Sequence, residues 1–148
     1  MPKVSRTRVV TAPPEAVWDL ISDPHNLPRW WPKTTRVEDV SEEAELPEWT
    51  SVFGTERGSG VRADYRCTAV EAPRKYAWEQ QLEGSPFERV LKAAAVAIEL
   101  APGEGGTVVT VTANETLRGL SRLGSPMMRG AAGDRLDEAL DGIERALT

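Results

Sequence analysis

The sequence predicts an α+β domain: a curved antiparallel sheet of about seven strands around one long C-terminal helix, with two short helices after the first strand. Three observations carry this prediction. Runs of period-two alternation follow one another through the middle of the chain, separated by short turns rich in Gly and Pro, as consecutive antiparallel strands require. From Gly119 the period changes to steps of three and four, through Met128, Ala132, Leu136, Leu140, Ile143 and Leu147. Residues 11–32, TAPPEAVWDLISDPHNLPRWWP, hold two helix-start signals and three of the five tryptophans.

Residues 3–11 read as the first strand, rich in β-branched side chains. Arg6 and Arg8 share its face with Val4 and Val10, so either an arginine points inward or the strand is bulged. Pro13-Pro14 ends it, because proline has no N–H for the ladder. A proline suits the first turn of a helix, and Val17, Leu20 and Ile21 follow at helical spacing, with Trp18 widening the stripe. Asp23 and Pro24 cap and start a second helix, which Pro28 keeps short. Trp30-Trp31-Pro32 closes this unit.

Residues 34–40 and 48–56 read as the next strands, with Trp49 and Phe53 on one face of the latter. The acidic stretch between them reads as a solvated loop. Residues 57–60, RGSG, form a turn. Residues 61–71 alternate, with Val61, Ala63, Tyr65, Cys67 and Ala69 on one face and Arg62, Asp64, Arg66 and Thr68 on the other. After a turn at Pro73, residues 76–82 put Tyr76, Trp78, Gln80 and Leu82 on one face. Residues 88–100 read as a long strand, because Val96, Ile98 and Leu100 alternate despite the helix-compatible Ala93-Ala94-Ala95. PGEGG at 102–106 makes a hairpin, and TVVTVTANE at 107–115 is dense in Val and Thr.

The last helix has two unlike halves. Residues 136–147 combine apolar spacing with good helix formers; the segment before them contains Gly119, Gly124, Gly130, Gly133 and Pro126. Ser125-Pro126 is itself a helix start, so regular helix is expected from there, with a break or kink before it. The glycines either let the helix approach the sheet closely or weaken residues 120–133 into a gate for a ligand, with Met127 and Met128 as adaptable lining.

At 148 residues the chain is read as one domain, residues 1–148. A net charge of −5 and a pI of about 5.0 argue against nucleic acid and anionic membrane surfaces as partners. No apolar run reaches the roughly 20 residues that span a bilayer, and the N-terminus lacks a signal-peptide core. Cys67 is the single cysteine, so no internal disulfide forms. Together these predict a cytoplasmic protein without stable membrane insertion.

Catalytic signatures are scarce. The single histidine, His25, stands apart from any ligand cluster and reads as a surface or capping residue, and no metal site is expected. Neither G-x-S-x-G nor a phosphate-binding glycine loop occurs. Cys67 reads as a small buried hydrophobe. What remains is a curved sheet closed at one end by short helices, which leaves room for a small molecule against the long helix. The candidate lining residues are Trp30, Trp31, Trp49, Phe53, Tyr65, Trp78 and Phe87, together with Met127 and Met128. Gln80 and Arg89 are the polar groups expected to reach the same space, whereas Arg62 and Arg66 fall on the solvated face.

The order of elements resembles the helix-grip fold of the START-like, or SRPBCC, superfamily. The opening APPEAVWDLISDPHNLPRWWP, the segment VEAPRKYAWE and the hairpin GGTVVTVT are similar to the polyketide cyclase/dehydrase-like branch of it. The likeness covers the whole chain. It implies a cavity between sheet and long helix, no cofactor and no particular catalytic residue, since the matching segments are structural. The functions it implies are binding of a hydrophobic, aromatic or polycyclic small molecule, placed first, or polyketide aromatase/cyclase or dehydratase chemistry with an acid or base such as Tyr65, Arg89 or an inward Glu. A chaperone-activator-like interaction module comes third. An ionisable pair facing the cavity would separate the first two.

Overall fold

The computed structural model describes residues 3–41, 45–54, 60–119 and 125–148. One antiparallel sheet contains β1 (Lys3–Val10), β2 (Thr34–Ser41), β3 (Glu48–Phe53), β4 (Val61–Glu71), β5 (Lys75–Gln80), β6 (Leu91–Gly103) and β7 (Gly106–Leu117). Their spatial order is β1-β7-β6-β5-β4-β3-β2. Thus β1 and β2, consecutive in sequence, are the two edges. The segment between them crosses from one edge to the other as α1 (Pro14–Ile21), a 3₁₀ turn (Pro24–Asn26) and α2 (Leu27–Trp30). Helix α3 (Ser125–Leu147) packs on β1, β7 and α2. This is the architecture read from the sequence.

The helix-start signals act as expected. Pro14 opens α1, and the Asp23 side chain accepts from the His25 N–H ahead of Pro24. Val17, Leu20 and Ile21 are buried, as are Leu27 and Trp30. On β7, Val109, Val111 and Ala113 point inward, and from α3 Leu136, Ala139, Leu140 and Ile143 meet them in one core. Among the described residues no helix is long and apolar enough to cross a membrane.

Several boundaries differ from the sequence reading. β5 stops at Gln80 rather than at residue 82. The strand expected from residue 88 starts at Leu91, because Pro86–Arg89 forms a 3₁₀ turn whose Phe87 N–H is capped by the Ser85 hydroxyl. β3 ends at Phe53, and residues 55–59, where the end of that strand and the following turn were expected, lie outside the described residues. β1 is not bulged: it pairs with β7 without interruption from Lys3 to Val10, so Arg6 and Arg8, opposite Val111 and Val109, do point to the face that α3 covers. There they meet α3, Arg8 at Asp141 and, at 3.2 Å, Glu144, and Arg6 at Asp137 at 3.5 Å. An edge strand flanked by a helix with an acidic side accommodates arginines that a strand in mid-sheet would not.

Regular helix does begin at Ser125, as Ser125-Pro126 suggests, and continues to Leu147. Residues 120–124, where the break was expected, lie outside the described residues. The glycines of α3 are not equivalent. A Cβ on Gly142 would overlap the Trp30 carbonyl oxygen, so this glycine is what lets α3 touch the backbone of α2. A Cβ on Gly133 would meet only the flexible guanidinium of Arg6, and one on Gly130 would meet nothing. Gly130→Ala should therefore stabilise the protein, by up to about 1 kcal/mol from helix propensity. Gly142→Ala should destabilise it by about 1–3 kcal/mol through overpacking. Urea midpoints of the two variants moving in the same direction would contradict this account of the α3–α2 contact.

Candidate ligand-binding site

A cavity of about 760 Å³ opens between the sheet, the Pro86–Arg89 turn and the N-terminal half of α3. Strand register builds its floor. Trp78 is paired with Val96, and Val96 with Ala113, so these three side chains form one row across β5, β6 and β7. One step toward the opening, Tyr65 is paired with Gln80, and Ala94 with Glu115. All of these residues line the cavity, and α3 covers them with Met128, Ala131 and Arg135. The space exists because the wall is lined at several points by alanine: Ala63, Ala94, Ala95, Ala113 and Ala131. Larger side chains there would fill it, as they fill well-packed cores.

Beneath the floor lies an aromatic cluster. Trp78 is 3% exposed and makes edge contacts with Trp30, Trp31, Trp49 and Tyr76, at centroid distances of 6.2, 5.3, 6.0 and 6.1 Å. Tyr65 stacks on Trp49 at 5.9 Å and meets Phe53 edge-on at 6.5 Å. Such offset and T-shaped contacts are the favoured geometries of aromatic pairs.

The polar part is compact. Arg135 of α3 donates through Nη2 to Glu115 of β7, whose side chain is 13% exposed. The Arg135 Nε is buried and unpaired. Burial pushes the Tyr65 phenol well above its ordinary range; Arg135 opposes the shift and Glu115 adds to it, which places the phenol within the field of both. Tyr65 is therefore a neutral hydroxyl and a hydrogen-bond donor at physiological pH. Asp134, Glu138 and Lys33 add charge at the rim. Burial also pushes up the Cys67 thiol and the Tyr76 phenol, so Cys67 is an inert thiol below the aromatic cluster. His25 is exposed, with Nδ1 2.8 Å from Asp23. Among the described residues no group of three His, Cys, Asp or Glu side chains converges as a metal site would.

Of the residues expected from the sequence to line the site, Trp31, Phe53, Tyr65, Trp78, Gln80, Phe87 and Met128 face the cavity. Four do not. Trp30, 1% exposed, is in the core behind Trp31, because α2 turns consecutive rings to different sides. Trp49 is buried beside the cavity, stacked on its cross-strand partner Tyr65. Arg89 falls within the strand expected from residue 88; it lies instead in the 3₁₀ turn and borders an outer hollow with Glu88 and Arg118. Met127 is 83% exposed, since adjacent residues of a helix cannot share its inner face. The polar pair was missed, although both signals exist. Glu115 continues the inward series Val109, Val111, Ala113, and Arg135 lies on the Met128–Ala131 side of α3, facing the cavity.

The chain matches the polyketide cyclase / dehydrase and lipid transport family over residues 1–148. No curated protein matches it. Among solved structures it is similar to TTHA0849 from Thermus thermophilus, with 19% identity and a TM-score of 0.77, covering 99% of this chain and 97% of that one. A START superfamily protein from Mycobacterium smegmatis aligns with 15% identity and a TM-score of 0.77, over 98% and 96% of the two chains. The di-domain ARO/CYC StfQ of the steffimycin biosynthetic pathway aligns with 13% identity and a TM-score of 0.78, over 99% of this chain and 50% of StfQ, so this chain spans about half its length. At these identities the likeness is one of fold.

The chain has two tyrosines, Tyr65 and Tyr76, and both are held protonated by burial. The unfolded chain ionises them near pH 10. Above that pH the unfolded state has released protons that the folded state retains, so stability should fall as pH rises through about 10. Spectrophotometric titration of the native protein should give no tyrosinate band in that range, and both should appear on unfolding. A band titrating near pH 10 in folded protein would put one phenol in solvent.

Proposed function

The chain belongs to the polyketide cyclase / dehydrase and lipid transport family, and from that premise we propose that it binds a hydrophobic small molecule, aromatic or polycyclic, between its sheet and α3. The observation that carries this reading is the cavity itself, about 760 Å³ with aromatic and alanine walls and few polar groups. That is the usual composition of a site that buries an apolar ligand and orients it by a few hydrogen bonds. Trp31, Trp78, Tyr65 and Phe53 offer ring faces and edges to a flat ligand, and Met128 and Phe87 border it from the covering elements.

A second reading, aromatase/cyclase or dehydratase chemistry on a polyketide-like chain, is favoured by the Glu115–Arg135 pair beside the Tyr65 phenol. It ranks below binding on chemical grounds. A general base must be free to take a proton, and the Glu115 carboxylate is engaged by a guanidinium, which itself does not release protons. A general acid should have a pKa near the working pH, and burial moves the Tyr65 phenol away from it.

The neutral dye Nile red tests the binding reading. It should bind saturably with one dye per chain and quench tryptophan emission, because Trp31 and Trp78 are on the wall. Ala113→Leu, which puts a larger side chain into the floor, should weaken binding at least about tenfold while the protein stays folded, a loss of about 1.4 kcal/mol. Unaltered binding to a folded Ala113→Leu protein would remove the cavity as the site. Native mass spectrometry of protein purified from its own host would then identify the natural occupant.

A further inference from the structure

We infer that the cavity selects neutral ligands bearing a hydrogen-bond-accepting oxygen, such as a ketone or quinone, over carboxylates of the same shape, and that Glu115 sets this selectivity. The inference rests on the binding reading above and narrows it to a chemical class.

Among the described residues, the donor the wall leaves for a ligand is the Tyr65 phenol of β4, which lines the cavity and makes no hydrogen bond to another described residue. Arg135 of α3 donates through Nη2 to Glu115, and its Nε is sealed off from the cavity. A donor enclosed by a ligand without an acceptor has a free-energy cost that a ligand oxygen removes. A purely hydrocarbon ligand would leave the phenol unpaired.

Donors alone would also suit a carboxylate, which a free arginine would bind through two parallel hydrogen bonds. Here the charge distribution opposes it. The charged side chains on the cavity wall are Lys33 and Arg135 against Glu115, Asp134 and Glu138, so the described wall carries a net negative charge. Glu115 engages the guanidinium through Nη2 and offsets its charge on the cavity wall. An anionic ligand would have to leave water without gaining a free cation, which is costly in a low-dielectric site. A carbonyl oxygen faces no such cost: it needs one or two donors and no counter-charge. Glu115 thus converts an anion receptor into a carbonyl receptor.

The test compares naphthalene, 2-acetylnaphthalene and 2-naphthoate by displacement of Nile red at pH 7.5, where the carboxylate is ionised. Wild-type protein should bind the ketone at least about tenfold more tightly than 2-naphthoate, and more tightly than naphthalene, on the scale of a single hydrogen bond. Glu115→Gln removes the carboxylate partner of Arg135 and makes the wall neutral, so 2-naphthoate should gain about tenfold or more relative to the ketone. Tyr65→Phe, which keeps the ring, should narrow the gap between ketone and naphthalene. If Glu115→Gln does not fold, the wild-type comparison and Tyr65→Phe decide the matter. Equal binding of all three probes, or tighter binding of 2-naphthoate to wild type, would overturn the inference and leave the cavity as a binding site. Failure of all three probes and of Nile red would overturn the binding reading and the inference with it.

Discussion

Trp78 touches four aromatic rings, drawn from three parts of the fold. Trp30 and Trp31 come from the helical crossing, Trp49 from β3 and Tyr76 from β5 itself. One side of this cluster is dry core; the other is the cavity floor, since Trp78 and Trp31 line it. The position of the ring therefore fixes both how far the packed core extends and where the open space begins. It depends in turn on β4–β5 register, with Cys67 opposite Trp78, because a slip of one residue would turn Trp78 outward and bring Ala77 or Glu79 inward.

The two ends of α3 answer to different demands. Its C-terminal half is tied down: Leu136, Ala139, Leu140 and Ile143 are fully buried, and Gly142 rests on α2. Arg8 of β1 adds ion pairs along the exposed side, which contribute little individually. The N-terminal half covers the cavity with Met128 and Ala131, and Gly130 there has no packing partner to require it. A helix anchored at one end and spanning a cavity at the other can place the boundary of its rigid part without closing the space beneath its first turns. Gly142 is required by close packing and Gly133 faces only the movable Arg6 side chain, whereas Gly130 weakens the helix where it is least supported.

The fold was legible because its signals are local and repeated. Pro14, Asp23-Pro24, the Val-rich β7 and the step-three-and-four stripe of α3 each declare their element within a few residues. The site was legible only by face. Period two brought Tyr65, Trp78 and Gln80 to the cavity wall, but which of several inward aromatics meets the cavity and which is shielded by another ring depends on cross-strand neighbours, as Trp49 stacked on Tyr65 illustrates. Arg89 was misplaced by a turn type: Ser85-Pro86 is a cap-and-proline signal that makes 3₁₀ structure where a strand was read. Glu115 and Arg135 carry the charge that usually marks solvent, and only their spacing places them with inward residues.

That pair shows why a mostly apolar cavity retains ions at all. Joining two buried charges rarely improves stability over an apolar pair, because the desolvation cost offsets the attraction. An apolar substitute at both positions would make a drier pocket, but one able to tell ligands apart only by shape, and a methylene more or less discriminates weakly. Polar groups held in place discriminate strongly, because the wrong ligand leaves them unpaired. Glu115 on β7 and Arg135 on the covering helix also join the two halves of the cavity wall. The contact that links α3 to the sheet therefore also sets the charge of the cavity wall, so stability and the electrostatics of the space depend on one interaction.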